Sequence, residues 1–520
     1  MSTLNSKGQL LANHLARAYE HEAEAKRASI HAEKVNVVGA GGTLTAAYEQ
    51  LRNAAENTEE HLLLQNAVRR FYRQLFITRD DDLMRSSGQE LAVELTLAGY
   101  LANDTLTKLQ IDQISALASR YYATYAEIQT WRSVSTDRAS KWVLNVLAVE
   151  IESILNRHDR DMVFVELAHT QLAEMIDERS VSRSPIGDFG AALYIAVLEA
   201  LLKADVATVR AALLRRYQVS IDDTKQYVEF NKQIDALIDA DTTDRLRRIV
   251  DRQGAPLRIL RRMMDETPNL DQLIPRRDSF LEAYEQQVNS EYERVASKLN
   301  RLIVRAVIFL IITKFLIGIA VEVPYDLITH DGIVWLPLVI NLLFPPLYMI
   351  ALKSTHRLPG YANTTALVDR IDAMLYGDRV MLSKSRLDGR KYGAAFSAIY
   401  TVIALGIFAA VSYGLLLLEF SLLHIVIFFV FLSAASFLGF RLSKNIRELE
   451  VVRSAQNGMT FVRDILYLPF VVIGQWMSDK YSRVNIVTII LDMLIELPLK
   501  TVLRLIRQWG AFIDDRKDRI

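Results

Sequence analysis

IVRAVIFLIITKFLIGIAVEV, residues 303–323, is an apolar stretch of 21 residues with Lys314 near its middle. As a helix it spans the roughly 30 Å of hydrocarbon in a bilayer. A lysine at that depth costs about 2.5–3.5 kcal/mol on insertion scales, and the fourteen Ile, Leu, Val and Phe residues of the stretch offset it by roughly 6 kcal/mol. The segment therefore inserts with its charge, and the lysine needs a partner. Asn341 in the next apolar stretch is one candidate; the alternatives are a structural ion pair and a side chain that snorkels to the interface. A site binding an anion or coupling to a proton is the functional reading of Lys314 and Asn341.

Three more stretches follow, at 333–352, 393–418 and 422–440, each long enough to cross. The expected architecture is all-α: a helical cytoplasmic domain, a polytopic transmembrane bundle of four spans arranged as two hairpins, and a C-terminal amphipathic region. The corresponding bounds are 1–300 with a break near 185, 301–352, a basic loop at 353–392, 393–441 and 442–520. Lysine and arginine set the orientation. The segments between spans one and two (Glu322, Asp326, Asp331) and between spans three and four (Glu419) hold acids but no Lys or Arg, so both are expected outside. Arg301, Arg305 and the central loop are then inside, as are Arg441, Lys444 and Arg447. This reading places the chain in the cytoplasmic membrane of a prokaryote, with both termini inside.

The formal net charge is zero, from 61 basic and 61 acidic side chains, which argues against a nucleic-acid binder. Split by position, residues 1–300 sum to −7 and residues 301–520 to +7. Between Lys353 and Lys391 eight basic residues face four acids. That excess suits anionic lipid headgroups, with Lys353, Arg357, Lys384, Arg386, Arg390 and Lys391 as the expected contacts.

In the first 300 residues apolar side chains recur at three and four spacing, as in Leu64, Val68, Phe71 and Leu75, and alternation of period two is nearly absent. Phe280, Tyr284, Val288, Val295, Leu299 and Leu302 carry one helical face straight into the first span, predicting an unbroken stalk. Gly406, Ala410 and Gly414, and likewise Ala435 and Gly439, recur every four residues and predict close helix packing, within the second hairpin or between copies of a homo-oligomer. Residues 465–477, apolar but short and carrying Pro469 and Gly474, read as an interfacial or re-entrant piece. Residues 484–506 are long enough to cross, but place Asp492, Glu496, Lys500 and Arg504 on one stripe of an apolar helix, which favours lying on the inner surface or against the bundle over a fifth crossing.

No chemistry-bearing motif survives inspection. There is no cysteine, which excludes disulfides, thiolate metal sites and thiol catalysis. The run VNVVGAGG at 35–42 resembles a dinucleotide loop, but Leu44 stands where the third glycine belongs. Glu166 and His169 form a single Glu-x-x-His pair where a di-iron bundle needs two. His21 and Glu22 begin a zincin motif that Ala25 ends. No metal, cofactor or enzymatic activity is expected. The expected function is a membrane-anchored scaffold or interaction protein, with a partner on residues 1–300; the alternative is a channel or transporter built around Lys314.

Overall fold

The computed structural model describes residues 4–37, 46, 49–50, 53, 62–78, 81–131, 133–156, 159–181, 188–329, 332–355, 358–377, 394–452 and 458–483. They are helical throughout, with no strand among them and one isolated bridge, Lys34 to Thr107. The helices of seven residues or more before the membrane half are α1 (Ser6–His31), α2 (Leu63–Thr78), α3 (Ser87–Leu97), α4 (Lys108–Gln129), α5 (Thr136–Leu155), α6 (Asp159–Met175), α7 (Phe189–Leu201), α8 (Val206–Arg216), α9 (Thr224–Ile238), α10 (Asp241–Gln253) and α11 (Ala255–Glu266). Local sequence sets their starts. Thr107 and Gln110 close a reciprocal capping box on α4, and Ser135, Asp205 and Asp223 cap α5, α8 and α9.

These helices pack around α7, whose sequence FGAALYIAVLEAL is apolar on every side and whose residues from Ala191 to Leu198 are all buried. A helix without a polar face belongs at the centre of a core. One contiguous core runs from Leu11 through Val143, Tyr194 and Leu260 to Tyr284, so the same core holds residues on both sides of position 185.

The core reaches further along the chain than residue 300. Helix α12 (Arg277–Ile317) is a single 41-residue rod, about 60 Å long, that starts in this core with Phe280, Tyr284 and Val288 and ends among apolar side chains at Leu310. A π-helical turn (Gly318–Glu322) leads into α13 (Val323–Thr329). Then come α14 (Trp335–Thr355), α15 (Tyr361–Leu375), α16 (Ala394–Leu416), α17 (Leu422–Arg447) and α18 (Gly458–Arg483). Four of these are long and apolar enough to cross a membrane: the continuous helix Arg277–Thr329, and Trp335–Leu352, Ala398–Leu416 and Leu422–Lys444.

The central segment departs from the sequence expectation of a basic loop beneath the bilayer. Within it α15 buries Leu367, Ile371, Met374 and Leu375 in the core formed around α7. Arg277 holds Asp372 through two hydrogen bonds of 2.7 and 2.8 Å, and the Asn5 amide donates to the carbonyls of Met374 (2.9 Å) and Gly377 (3.0 Å) while capping α1. A second clasp centres on buried Asn363, which donates to Tyr292 Oη (2.8 Å) and Leu449 O (2.9 Å) and accepts from the backbone N–H groups of Val451 and Val452. Helix α12, α15 and the turn after α17 are thereby joined.

Residues 458–483 form one continuous helix, unbroken at Pro469 and Gly474. Pro469 lies inside α18, and Gly474 lets the backbones of α17 and α18 approach: a Cβ there would sit 2.3 Å from the Ser433 carbonyl oxygen. Phe470 packs between Phe408 and Phe429. The amphipathic stripe at 484–506 lies outside the described residues.

Candidate functional site

The site begins with a proline. Pro324 has no N–H to offer the carbonyl four residues back, and its ring crowds that carbonyl. The helix relaxes just before it into the π turn, where the Val323 N–H bonds the Gly318 carbonyl five residues earlier, and then continues as α13. Because the helix does not end at Val323, Glu322 and Asp326 point into the bundle: both are fully buried. The sequence expectation counted these two acids in an outer segment without a base; the structure turns both carboxylates into the bundle, beside Lys314 and His424, and the third, Asp331, lies outside the described residues.

Lys314, 2% exposed, donates to Glu322 Oε1 two turns further along the same face. Its ammonium also lies 5.0 Å from the centre of the Phe431 ring on α17. Asn341 is not the lysine's partner. Its amide donates to the His424 carbonyl at 3.3 Å, tying α14 to the start of α17.

A second pair sits one turn above. His424, 1% exposed, brings Nε2 within 3.5 Å of Asp326 Oδ1, and its Nδ1 lies 2.9 Å from the Ser421 hydroxyl that caps α17. Asp326 Oδ2 accepts from the Val334 N–H at 3.1 Å. With Nδ1 taking the serine proton, the remaining imidazole proton sits on Nε2, which lies near the carboxylate without a hydrogen bond to it; this tautomer is assigned from the Ser421 contact. At the two pairs Glu322 Oε2 and His424 Nε2, and on α14 Asn341 Oδ1, are buried and make no hydrogen bond among the described residues. Four ionisable side chains thus line one seam between α12–α13 and α17. Such a seam can hold, release and pass protons.

No protein-family model, curated protein or solved structure matches the chain.

The other sequence candidates separate into placed and unplaced. Ala435 is fully buried, and a Cβ on Gly439 would come 2.9 Å from Leu352 Cδ1, so this small-residue face seats α17 on α14. Around Gly406 and Gly414 a Cβ would meet nothing within 4 Å, so that face of α16, which also carries Ala410, does not pack against Gly439's helix or any other described one. Of the expected lipid contacts, Arg357, Lys384, Arg386, Arg390 and Lys391 lie outside the described residues, as does the side chain of Lys353. Arg370 from the same segment donates to Gln253 Oε1 at 3.0 Å at the end of α10.

Glu166 is bound by Arg216 at 2.5 Å, and His169 Nε2 lies 3.1 Å from the Gly190 carbonyl, against the edge of Tyr194. Glu22 accepts from Arg160 at 2.9 Å. The glycines of the 35–42 run lie outside the described residues; before them, the Val35 N–H bonds the Leu106 carbonyl. Among the described residues no group of three or more His, Asp or Glu side chains could hold a metal ion.

Sequence reading found Lys314 but missed Glu322, Asp326 and His424 as its neighbours. The signal was present: 314, 322 and 326 are separated by eight and four residues, one helical face. It was hidden because Glu322, though inside the run 303–323, was grouped with the outer acids, and because Asp326 lies beyond that run.

Proposed function

We propose that this is a membrane transport protein in which the Lys314–Glu322 pair carries or gates protons, seated in the cytoplasmic membrane of a prokaryote with the helical domain on the inner face. The observation that carries this reading is the buried ion pair on a helix that runs unbroken into the soluble core. Stability gives no reason for such a pair: replacing a buried ion pair with apolar residues of similar volume is often neutral or stabilising by about 1–4 kcal/mol. Ionisable groups retained inside a membrane bundle belong to proton relays, ion paths and counter-ion sites. Here Glu322 and Asp326 are the exchanging acids, Lys314 the countercharge of the first and the His424 imidazole the proton partner of the second, and α12 the rod that transmits a change at the pair to the domain below. The absence of Lys and Arg from the segments around Asp331 and Glu419 supports the inside placement of residues 1–300.

The test is proton flux into vesicles reconstituted with the full chain and loaded with a pH-sensitive dye. Wild type should acidify the lumen under an imposed gradient, and Glu322→Gln should cut the rate by an order of magnitude. Equal rates with and without protein would refute the reading.

A second reading, a membrane-anchored scaffold, is favoured by the two clasps at Asp372 and Asn363, which weld the soluble domain to the membrane helices as one rigid platform. Under it, a specific partner of residues 1–300 should travel with the full chain through purification in mild detergent.

A further inference from the structure

Helix α12 changes surroundings along its length, and its cations change with it. Where it is set in the core they are paired: Asp372 holds Arg277, and Glu266 and Glu291 hold Arg294. Beyond that, Lys298, Arg301 and Arg305 are exposed, and their side chains make no ion pair or hydrogen bond among the described residues. They follow one another at steps of three and four on one stripe of the helix, and exposed Ile308 and Ile312 continue that stripe as apolar surface. Helix α17 repeats the change in reverse. Val426 and Val430 are exposed on its apolar part, and near its C-terminus Arg441 and Lys444 are exposed and equally without a side-chain partner among the described residues. The two helices meet at this level, where Leu299 and Ile303 pack against Ile446, with Val307 and Leu442 beside them. Arg301 and Arg305 stand two residues either side of Ile303, and Lys444 two before Ile446, a rotation of about 200° that turns them away from the shared seam. No acid lies between residues 298 and 310 or between 441 and 447.

We propose that this basic belt on α12 and α17 binds the phosphate groups of anionic phospholipids. Three features point to that ligand. The belt stands at the edge of the hydrocarbon, because exposed apolar side chains begin within one turn of Arg305, and headgroup phosphates lie at that depth. The cations nearer the core have counter-anions within the chain, whereas those of the belt have none among the described residues, so their counter-anion comes from outside. The guanidinium of an exposed arginine presents parallel N–H donors that match two phosphate oxygens. Lysine and arginine at an anionic membrane surface each add roughly fivefold to the affinity for it, so two such residues on each helix give a strong preference for charged over zwitterionic lipid. The belt does not depend on the proton reading. It nevertheless lies on the two helices that carry Lys314, Glu322 and His424, and lipid seated there bears on the helices that hold the buried pairs.

The experiment is native mass spectrometry of the full chain in mild detergent, offered equal amounts of dioleoyl phosphatidylglycerol and dioleoyl phosphatidylcholine, which share their acyl chains and differ in headgroup charge. Wild type should retain phosphatidylglycerol at least an order of magnitude more often than phosphatidylcholine. The pair Arg301→Gln with Arg305→Gln, and the pair Arg441→Gln with Lys444→Gln, should each cut that preference by about an order of magnitude, and all four together should abolish it. These side chains are exposed, so the variants should keep the wild-type circular dichroism. Lys141→Gln with Lys232→Gln, exposed on α5 and α9, removes two positive charges elsewhere and should leave the preference unchanged. Equal retention of the two lipids by wild type would overturn the proposal, as would a preference for phosphatidylglycerol that survives in the fourfold variant.

Discussion

Removing one member of the Lys314–Glu322 pair and removing both should have opposite consequences. Lys314→Leu leaves Glu322 fully buried with an uncompensated charge; at about 4 Å and an effective dielectric near 20 the lost attraction alone is about 4 kcal/mol. Breaking a buried pair by deleting one partner typically costs about 3–5 kcal/mol. Glu322→Leu strands Lys314 in the same way, although the Phe431 ring retains part of its stabilisation, so that variant should fall at the low end. In the double variant Lys314→Leu, Glu322→Leu no charge is left unpaired, and its stability should return to within about 1 kcal/mol of wild type or exceed it. Reversible unfolding of the four proteins in detergent–denaturant mixtures closes the cycle, with a predicted coupling of about 3 kcal/mol or more. Additive single effects, with the double variant the least stable of the four, would refute the claim that these two side chains compensate one another in the buried seam.

Other outcomes follow from the same structure. A fragment of residues 1–300 lacks Leu367, Ile371, Met374, Leu375 and Leu449, all buried in its core; at about 1.5–3 kcal/mol each their loss rivals the whole stability of a domain. Circular dichroism and hydrogen exchange should show it helical but without protected packing, whereas a sharp cooperative transition would contradict the shared core. Asp235→Ala strands Arg210, 3% exposed and bonded to Asp235 at 2.5 Å, and removes the acceptor of the Trp142 indole; a loss of about 3–5 kcal/mol is expected by denaturant titration. Burial and Arg216 hold His169 below its ordinary value of 6.5, so the stability it contributes is complete above that pH and declines as pH falls through the lowered value. His169→Gln should flatten that acid limb; an unchanged pH profile would exclude the histidine as its source.

The fold was legible in the sequence where hydropathy is one-dimensional and illegible where the chain folds back on itself. The four spans and the unbroken stalk follow from runs and faces that any straight helix would show. The position of α15 does not, because the charges around Leu367, Ile371 and Met374 made the segment look like a surface loop, although their four and three spacing marks an apolar face. Asp372 was counted as a loop charge when its partner, Arg277, lies 95 residues earlier. For the candidate site, Lys314 announced itself by its cost in a bilayer, whereas His424 and Asp326 gained meaning only once α13 and α17 were seen side by side. Gly406 and Gly439 share a motif in sequence and differ in space, since small residues permit close packing without naming the helix that uses it.

The central claim is that the pair at Lys314 and Glu322 exists for protons and not for folding, and the double leucine variant separates those roles. Reconstituted in dye-loaded vesicles, it should be as stable as wild type and carry no proton flux above protein-free vesicles. Wild-type flux from that folded double variant would contradict the account.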